Sequence, residues 1–215
     1  MTFNLPQRVL ILSPHPDDAE LGMGGTIAKF IENGVDVHIA VFSDCKQSLP
    51  TGVSSQKLIE EARSSIEKMG LPVDNHHLFD YPVRRFSENR QDILEDLVAL
   101  KKKINPDLVF CPSKDDRHQD HLVLHEETKR AFGFTLGVYG YELPWNMTEF
   151  SGRFFVELTG HHLKNKCEYI FQYQSQLDLE RTYFKSETIE SLSRVRGLQA
   201  GCLFAEAFEV IRSRW

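Results

Sequence analysis

The 215-residue sequence has only four cysteines, and no two of them form a CxxC pair. This scarcity excludes a zinc ribbon and a dense disulfide framework, and it is typical of a protein of the reducing cytosol. The apolar run at residues 9–12 is far shorter than the roughly 20 residues that a membrane span requires. We therefore expect a cytoplasmic protein with no targeting segment and no membrane span.

An excess of positive charge is also missing, because 25 lysines and arginines stand against 31 acidic residues, for a net charge of −6. An acidic chain has no general attraction to phosphates, so we expect no nucleic-acid partner. The chain contains no repeat, and 41% of its residues are hydrophobic. This composition excludes disordered and coiled-coil classes. The length predicts one domain over residues 1–215.

Strand-like and helix-like segments alternate in the first two thirds of the chain. Apolar runs predict strands over residues 8–13, 35–42, 77–79 and 107–111. Amphipathic runs predict helices over residues 19–33, 56–69, 88–104 and 118–132. This alternation predicts an α/β fold, with a Rossmann-like, mostly parallel sheet flanked by helices on both faces.

The carboxyl-terminal third has a mixed pattern and predicts an α+β extension of the same domain. Segments that read as further strands and loops lie at residues 140–146, 153–158 and 207–212. Helical segments lie at residues 160–176 and 177–194. The apolar and aromatic residues of this part would suit either a homo-oligomer interface or the rest of the core.

The first polar cluster follows the first predicted strand, at the edge where open α/β sheets bind ligands. Residues 15–20 read HPDDAE. One interpretation is a helix start, with Asp17 or Asp18 as the cap and the other acids favoured by the helix dipole. It leaves His15 without a role and makes two aspartates redundant. The other interpretation is a zinc site in which one carboxylate acts as a base. The motif alone leaves both open.

Glycines at positions 22, 24 and 25 resemble a nucleotide-binding loop, but the pattern fails. A GxGxxG motif would need glycine where Ile27 stands, and no P-loop lysine follows. We expect these glycines to allow close packing of the helix on the sheet, or close approach of the backbone to the site.

The second polar cluster follows the predicted strand 107–111. His118, His121 and His125 have the spacing of one helical face, and Asp120 stands between them. No HExxH motif is present, which excludes the common zincin helix. The other histidines have no ligand-like setting, and we expect structural roles for His38, His76, His77, His161 and His162.

Together the two clusters resemble the LmbE/PIG-L family of zinc-dependent N-acetylglucosaminyl deacetylases. The HPDDxE motif with its following glycine pair stands at residues 14–25, and the HxDH motif stands at residues 118–121. The pair Asp116-Arg117 and the AEAFE segment at residues 205–209 are also similar to the family. The resemblance therefore extends over nearly the whole chain.

The resemblance implies that His15, Asp18 and His121 bind zinc, with ferrous iron or another divalent metal as alternatives. Two imidazoles and one carboxylate leave room for water, as a catalytic zinc requires. The implied activity is removal of acetate from an N-acetylated amino sugar, a small-molecule partner. Alternatives are another metal-dependent amidase, a phosphoesterase, or a non-catalytic sugar-binding member of the family.

The resemblance also implies roles for the other motif residues. Asp17 would be the general base toward water. His118 would be the protonated group that stabilises the oxyanion or protonates the leaving amine, and Asp120 would hold His118 and favour its imidazolium form.

Substrate contacts are less well defined by the sequence. Where family members often carry Arg-Arg-x-Glu, this chain has KLIEE at residues 57–61, so Arg84 or Arg85 would have to supply the missing arginine. Trp145, among aromatic neighbours, is a candidate sugar platform, and Glu142 is a weaker candidate for contact. Gln119 stands where proline is common, at a position that is not a ligand.

Overall fold

A computed structural model describes residues 5–48, 54–133 and 137–213. In these ranges seven strands form one sheet, and they are β1 (Arg8–Ser13), β2 (Asp36–Val41), β3 (His76–Leu78), β4 (Leu108–Pro112), β5 (Gly137–Tyr141), β6 (Gly152–Leu158) and β7 (Phe204–Arg212). The described helices are α1 (Asp18–Glu32), α2 (Ser55–Met69), α3 (Arg90–Ile104), α4 (Gln119–Phe132), α5 (Gly160–Ile170), α6 (Gln174–Leu177) and α7 (Ser186–Ala200).

The sheet has the strand order β3-β2-β1-β4-β5-β7-β6. The first five strands in that order are parallel, and β7 pairs antiparallel with both β5 and β6. The predicted α/β fold, mostly parallel and with a mixed carboxyl-terminal part, is confirmed. After β1 the chain crosses to β2 on one side, and β4 lies on the other side of β1. The order therefore reverses between β1 and β4, which is where such sheets form ligand sites.

Strand β1 is apolar on both faces because the sheet is covered on both. Val9 and Ile11 belong to the core shared with α1, α2 and α5, whereas Leu10 and Leu12 belong to the core shared with α3 and α4. This two-sided burial explains the uninterrupted hydrophobic run of the strand. Within the described ranges no helix is long and apolar enough to cross a membrane.

Helix α1 bends at Met23, whose φ of −147° and ψ of 25° are not helical. Small residues beside the bend bring the helix against the sheet. A Cβ at Gly22 would lie 2.4 Å from the Tyr141 ring, and one at Gly25 would lie 2.5 Å from Leu158. The prediction that these glycines permit close helix packing is confirmed, because any side chain there would collide with a strand residue.

Three predicted boundaries in the carboxyl-terminal third are wrong. The predicted helix 160–176 ends at Ile170 and resumes only as the short α6, and the predicted helix 177–194 begins at Ser186 and runs to Ala200. No glycine or proline marks the break. In this break the Tyr173 hydroxyl donates to the buried carbonyl of Pro16.

One strand boundary in the same third is also wrong. Residues 140–146 hold the end of β5 and then a turn of 3-10 helix at Pro144–Asn146, which agrees with the predicted strands and loops. The last strand begins at Phe204, not at residue 207, because Phe204 pairs with Leu158 of β6. Proline at the first turn position explains why the aromatic segment leaves the sheet.

Candidate active site

The two histidine–aspartate motifs meet at the carboxyl ends of β1 and β4. These strands are parallel neighbours, so the loop that follows each one opens at the same edge. His15 and Asp18 lie in the turn from β1 into α1, and His121 lies in the first turn of α4. The topology thus brings together residues that are about a hundred positions apart.

Buried polar groups fix the shape of the first loop. The Ser13 hydroxyl donates to the carbonyl of His15 and accepts the backbone N–H of Ala19. Glu20 Oε1 accepts a hydrogen bond from the Ser65 hydroxyl at 2.6 Å and lies 2.8 Å from the hydroxyl oxygen of Tyr173. Glu20 is therefore a buried tether between elements, and not the solvated acid of a plain helix start.

Three ligand atoms form a nearly equilateral triangle. His15 Nδ1 and Asp18 Oδ2 are 3.1 Å apart, His121 Nε2 and Asp18 Oδ2 are 3.2 Å apart, and His121 Nε2 and His15 Nδ1 are 3.1 Å apart. Ligands at about 2.0–2.1 Å in a zinc tetrahedron are separated by roughly 3.3 Å. The atoms therefore match one face of a tetrahedral metal site, and the residues present fit zinc.

The ring of His118 is a looser neighbour of this triangle. Its centroid lies 4.8 Å from that of His15 and 4.6 Å from that of His121. Each of the three histidines has a nitrogen within 4.8 Å of the others. Asp18 Oδ2 is much closer to His15 and His121 than this limit, so these three residues are the better ligand set.

Each ligand histidine is oriented by a second carboxylate. His15 Nε2 donates to Asp120 Oδ2 at 3.1 Å, and His121 Nδ1 donates to Asp116 Oδ2 at 2.7 Å. The other ring nitrogen of each histidine faces Asp18 and can bind a metal when it carries no proton. Such carboxylate–histidine pairs fix the tautomer and raise ligand basicity at metal sites.

The electrostatics of the triangle favour a bound cation. Burial opposes protonation of His121, but Asp18 and Asp116 outweigh it and raise its pKa to about 10. The pKa of His15 is also raised, because Asp18 and Asp120 outweigh burial. Burial would raise the pKa of Asp18, yet the charges of His121 and His15 lower it. The three buried side chains of the triangle thus stabilise a positive charge placed between them.

Asp17 stands beside the triangle without belonging to it. It is the N-cap residue of α1, but its side chain makes no capping hydrogen bond. Burial, and then the charge of Asp18, raise the pKa of Asp17 to about 6, although His15 and Arg181 oppose the rise. A carboxylate with a pKa in this range can take up a proton near neutral pH, as a general base must.

His118 differs in one respect from its expected role. Its Nδ1 accepts the backbone N–H of Asp120 at 3.2 Å, so the side chain caps α4. Burial and the charges of His121 and His15 lower its pKa to about 4. The ring is therefore neutral, with the proton on Nε2. The Asp120 carboxylate accepts hydrogen bonds from His15 and from the backbone N–H groups of Arg84 and Phe86, and it acts on His118 through its charge, which opposes the lowering of the His118 pKa.

A cleft of about 310 Å³ opens over these residues. His15, Asp17, Asp18, His118 and His121 line its base. Of the predicted substrate contacts, Arg84 and Trp145 line the cleft. The other arginine, Arg85, forms an exposed ion pair with Glu88 and lies outside it. Glu142 is bound by Arg196 and is also outside.

His125 and the remaining histidines lie apart from the cleft. His125 Nδ1 bonds to the carbonyl of Pro112 in the core. His162 bonds Glu32 and the backbone of Thr159, and His38 stacks on His77. The expected structural setting of these rings is confirmed, whereas the third histidine of the helical face joins the core and not the site.

Sequence reasoning missed three residues of the site. The sequence analysis identifies Asp116 only as similar to the family and gives it no role in the site, although its position two residues before His118 indicates one. Arg181 and Tyr183 line the cleft from the segment between α6 and α7. No local pattern indicates either residue, because their segment has the pattern of a helix.

Comparison with known proteins agrees with this geometry. The sequence model of the PIG-L family, described as GlcNAc-PI de-N-acetylase, matches residues 10–132, which is more than half of the chain. The chain belongs to the PIG-L family. That match includes both histidine–aspartate motifs. The predicted membership is confirmed.

Three similar proteins illustrate the PIG-L relationship. Diacetylchitobiose deacetylase of Thermococcus kodakarensis is 32% identical over 127 residues, 55% of this chain and 46% of that protein. The structure of N,N'-diacetylchitobiose deacetylase from Pyrococcus horikoshii has a TM-score of 0.80 at 20% identity, covering 95% of this chain and 84% of that one. A 4-oxalmesaconate hydratase of Pseudomonas putida is 28% identical over 135 residues, 57% of this chain and 51% of that protein. The matched part thus spans about half the length of both sequence relatives.

Proposed function

We propose that the protein is a zinc-dependent N-deacetylase that releases acetate from an N-acetylated amino sugar of the N-acetylglucosamine type. The observation that carries the proposal is the triangle of His15, Asp18 and His121 beside the free carboxylate of Asp17. Membership of a de-N-acetylase family supports the reaction type, and a relative named for diacetylchitobiose supports the sugar.

His15, Asp18 and His121 would hold the zinc, which would supply a water of lowered pKa and polarise the amide carbonyl. Asp17 accepts the proton of the water as oxygen attacks the carbonyl carbon. His118 donates from Nε2 to the carbonyl oxygen as negative charge develops there. Asp17 then passes its proton to the amine nitrogen as the C–N bond breaks, which yields acetate and a free amino sugar.

A neutral His118 suits this role. A neutral imidazole can donate a hydrogen bond to an oxyanion without first giving up its proton, and the backbone N–H on Nδ1 keeps the donor at Nε2. Asp120 acts on the other side of the site, where it orients His15. Deacetylation therefore needs one proton carrier, Asp17, and one oxyanion donor, His118.

Two alternatives have weaker support. Phosphoesterases often hold two metals by several carboxylates, whereas the part of the chain that the structure describes has one cluster suited to a metal. Hydration is the second candidate function, because a hydratase is among the relatives. A hydration reaction would use Asp17 as its base and would not release an amine.

The test is acetate release by protein that has been stripped with a chelator and reloaded with zinc. The substrates are a panel of N-acetylglucosamine derivatives, with p-nitrophenyl phosphate as the control for phosphoesterase activity. We expect acetate and free amine in equal amounts, only after zinc is returned. Zinc binding with no acetate from any member of the panel would overturn the proposal and favour the hydratase alternative.

A further inference from the structure

One wall of the cleft is a stacked aromatic pair. The rings of Trp145 and Tyr183 are nearly parallel, at 13°, with centroids 3.9 Å apart. The two residues come from the turn after β5 and from the segment before α7, so the stack joins two loops. A rigid aromatic surface beside polar groups suits the C–H face of a pyranose ring.

An arginine is fixed at the edge of this wall. Arg181 Nη1 donates to the Tyr183 hydroxyl at 2.8 Å. Its guanidinium also lies 5.8 Å from the centroid of the same ring. Both contacts are with an uncharged partner, and the side chain is exposed and lines the cleft. Its charge is thus held in place without an ion pair to a carboxylate.

A second arginine enters the cleft from the loop after β3. Arg84 has a φ of 66°, a left-handed conformation that is costly for a residue with a side chain. Its backbone N–H donates to Asp120 Oδ2 at 2.6 Å, and its carbonyl accepts from Gln119 Nε2 at 2.9 Å. These bonds hold the strained backbone, and no carboxylate of the described residues pairs with its guanidinium.

The neighbouring Arg85 shows the contrast. It forms a two-point ion pair with Glu88, at 2.9 and 2.8 Å, on the surface outside the cleft. Of these two adjacent arginines, Arg85 is neutralised by a carboxylate on the surface, whereas Arg84 lies in the cleft without a carboxylate partner among the described residues.

The charges that line the cleft point to an anion. The lining residues include Arg84 and Arg181 as cations, and Asp17 and Asp18 as carboxylates. A divalent ion in the triangle would leave this surface with a positive excess, although the whole chain carries −6. A concave surface with the sign opposite to the rest of the protein attracts ligands of the other charge.

We propose that the amino-sugar substrate carries an anionic substituent, a phosphate or a carboxylate, which Arg84 and Arg181 bind while the sugar ring lies against Trp145 and Tyr183. Guanidinium groups match the planar, two-oxygen edge of both anions. The inference rests on the proposed deacetylase function, because it names the substrate class of the same site.

The experiment compares three N-acetylglucosamine probes on zinc-loaded protein. They are the neutral methyl glycoside, the 1-phosphate and the carboxymethyl glycoside. We expect kcat/KM for one anionic probe to exceed that for the neutral probe by about tenfold or more, the gain of a charge-assisted contact. The phosphate and carboxylate arms distinguish the two sources of the anion. Equal kcat/KM for all three probes would overturn the inference and leave deacetylation in place.

The variants R84Q and R181Q locate the contact, and R85Q is the matched control. We expect each of the first two to lower the anionic-to-neutral ratio of kcat/KM by about tenfold through KM, while R85Q keeps it. The bonds that hold residue 84 use its backbone, so R84Q retains them. A ratio that R84Q and R181Q leave unchanged would contradict the assignment.

A binding measurement with the anionic probe distinguishes failure of this inference from failure of the proposed function. The chain has two tryptophans, so W215F leaves Trp145 as the fluorescent reporter of the cleft. We expect the better anionic probe to change this fluorescence, with an affinity that R84Q reduces and R85Q does not. That result without acetate release would retain the anion site and overturn deacetylation. Equal affinity in R84Q and in its parent would overturn the anion site.

Discussion

Asp116 holds His121 in the tautomer that faces the metal triangle, through a hydrogen bond of 2.7 Å from Nδ1 to Oδ2. Its other oxygen accepts the backbone N–H of His118 at 2.8 Å. One buried carboxylate therefore positions a proposed ligand and a proposed oxyanion donor together. We therefore expect the zinc affinity of the proposed metal site to depend on Asp116.

Replacing this carboxylate gives the first prediction. Asp116→Asn keeps the size but removes the charge that supports His121, so we expect zinc affinity to fall by about 10–100-fold. Asp115→Asn is the matched control, because Asp115 bonds Ser151 and no ligand histidine. Competition with a zinc-binding dye measures both. Equal affinity in the two variants would contradict the role of Asp116.

Glu206 gives a prediction about stability. It accepts hydrogen bonds from the backbone of Gly25 and Thr26 beyond the bend in α1, and from Lys166, at 3.1, 2.7 and 2.7 Å. Glu206→Ala would leave a buried ammonium group and two buried N–H groups without an acceptor. We expect the free energy of unfolding to fall by about 3–5 kcal/mol.

A second variant tests that cause. In the double variant Glu206→Ala with Lys166→Met the stranded charge is gone, so part of the lost free energy of unfolding should return. Urea denaturation of the two variants and the parent measures the difference. If the double variant were as unstable as the single one, the buried ion pair would not be the source of the loss.

A third prediction concerns pH. Burial, and then the charges of His77 and Arg63, lower the pKa of His76 from its usual 6.5 to about 4. Between these values the unfolded chain binds a proton that the folded chain does not. The free energy of unfolding therefore decreases as pH falls through this window. Above the window the contribution is constant.

His76→Gln removes this titration, so stability of the variant should depend less on pH than that of the parent. Urea denaturation at about pH 7.5, above the window, and at about pH 5, within it, measures this dependence. His161→Gln, at an exposed position of α5, is the control and should keep the slope of the parent. A slope unchanged by His76→Gln would contradict the assignment.

The sequence predicts those parts of the fold and of the site that depend on local patterns. The uninterrupted apolar run of β1 predicts a strand covered on both faces, and the motifs at the ends of β1 and β4 predict that His15 and His121 meet. The bounds of α1 and α4 agree within one residue at each end. The prediction that the two motifs meet needs only the rule that ligands bind at the carboxyl edge of a parallel sheet.

Interactions between distant parts of the chain could not be predicted. The family resemblance implies that Asp120 holds His118, two residues away, but its carboxylate bonds His15, 105 positions away. The contact of Tyr173 with Pro16, 157 positions away, likewise has no local signal. Arg181 and Tyr183 lie between α6 and α7, where the sequence pattern predicts continuous helix.

The most direct test of the proposed site is to measure zinc content and acetate release in Asp17→Ala and His121→Ala. Asp17 is not in the ligand triangle, so its variant should retain one zinc per chain and lose activity by about 10²–10⁴-fold, the loss of a general base. His121→Ala should lose both zinc and activity. Near-normal turnover by Asp17→Ala, or retention of zinc by His121→Ala at the affinity of the parent, would contradict the proposed division of base and ligand.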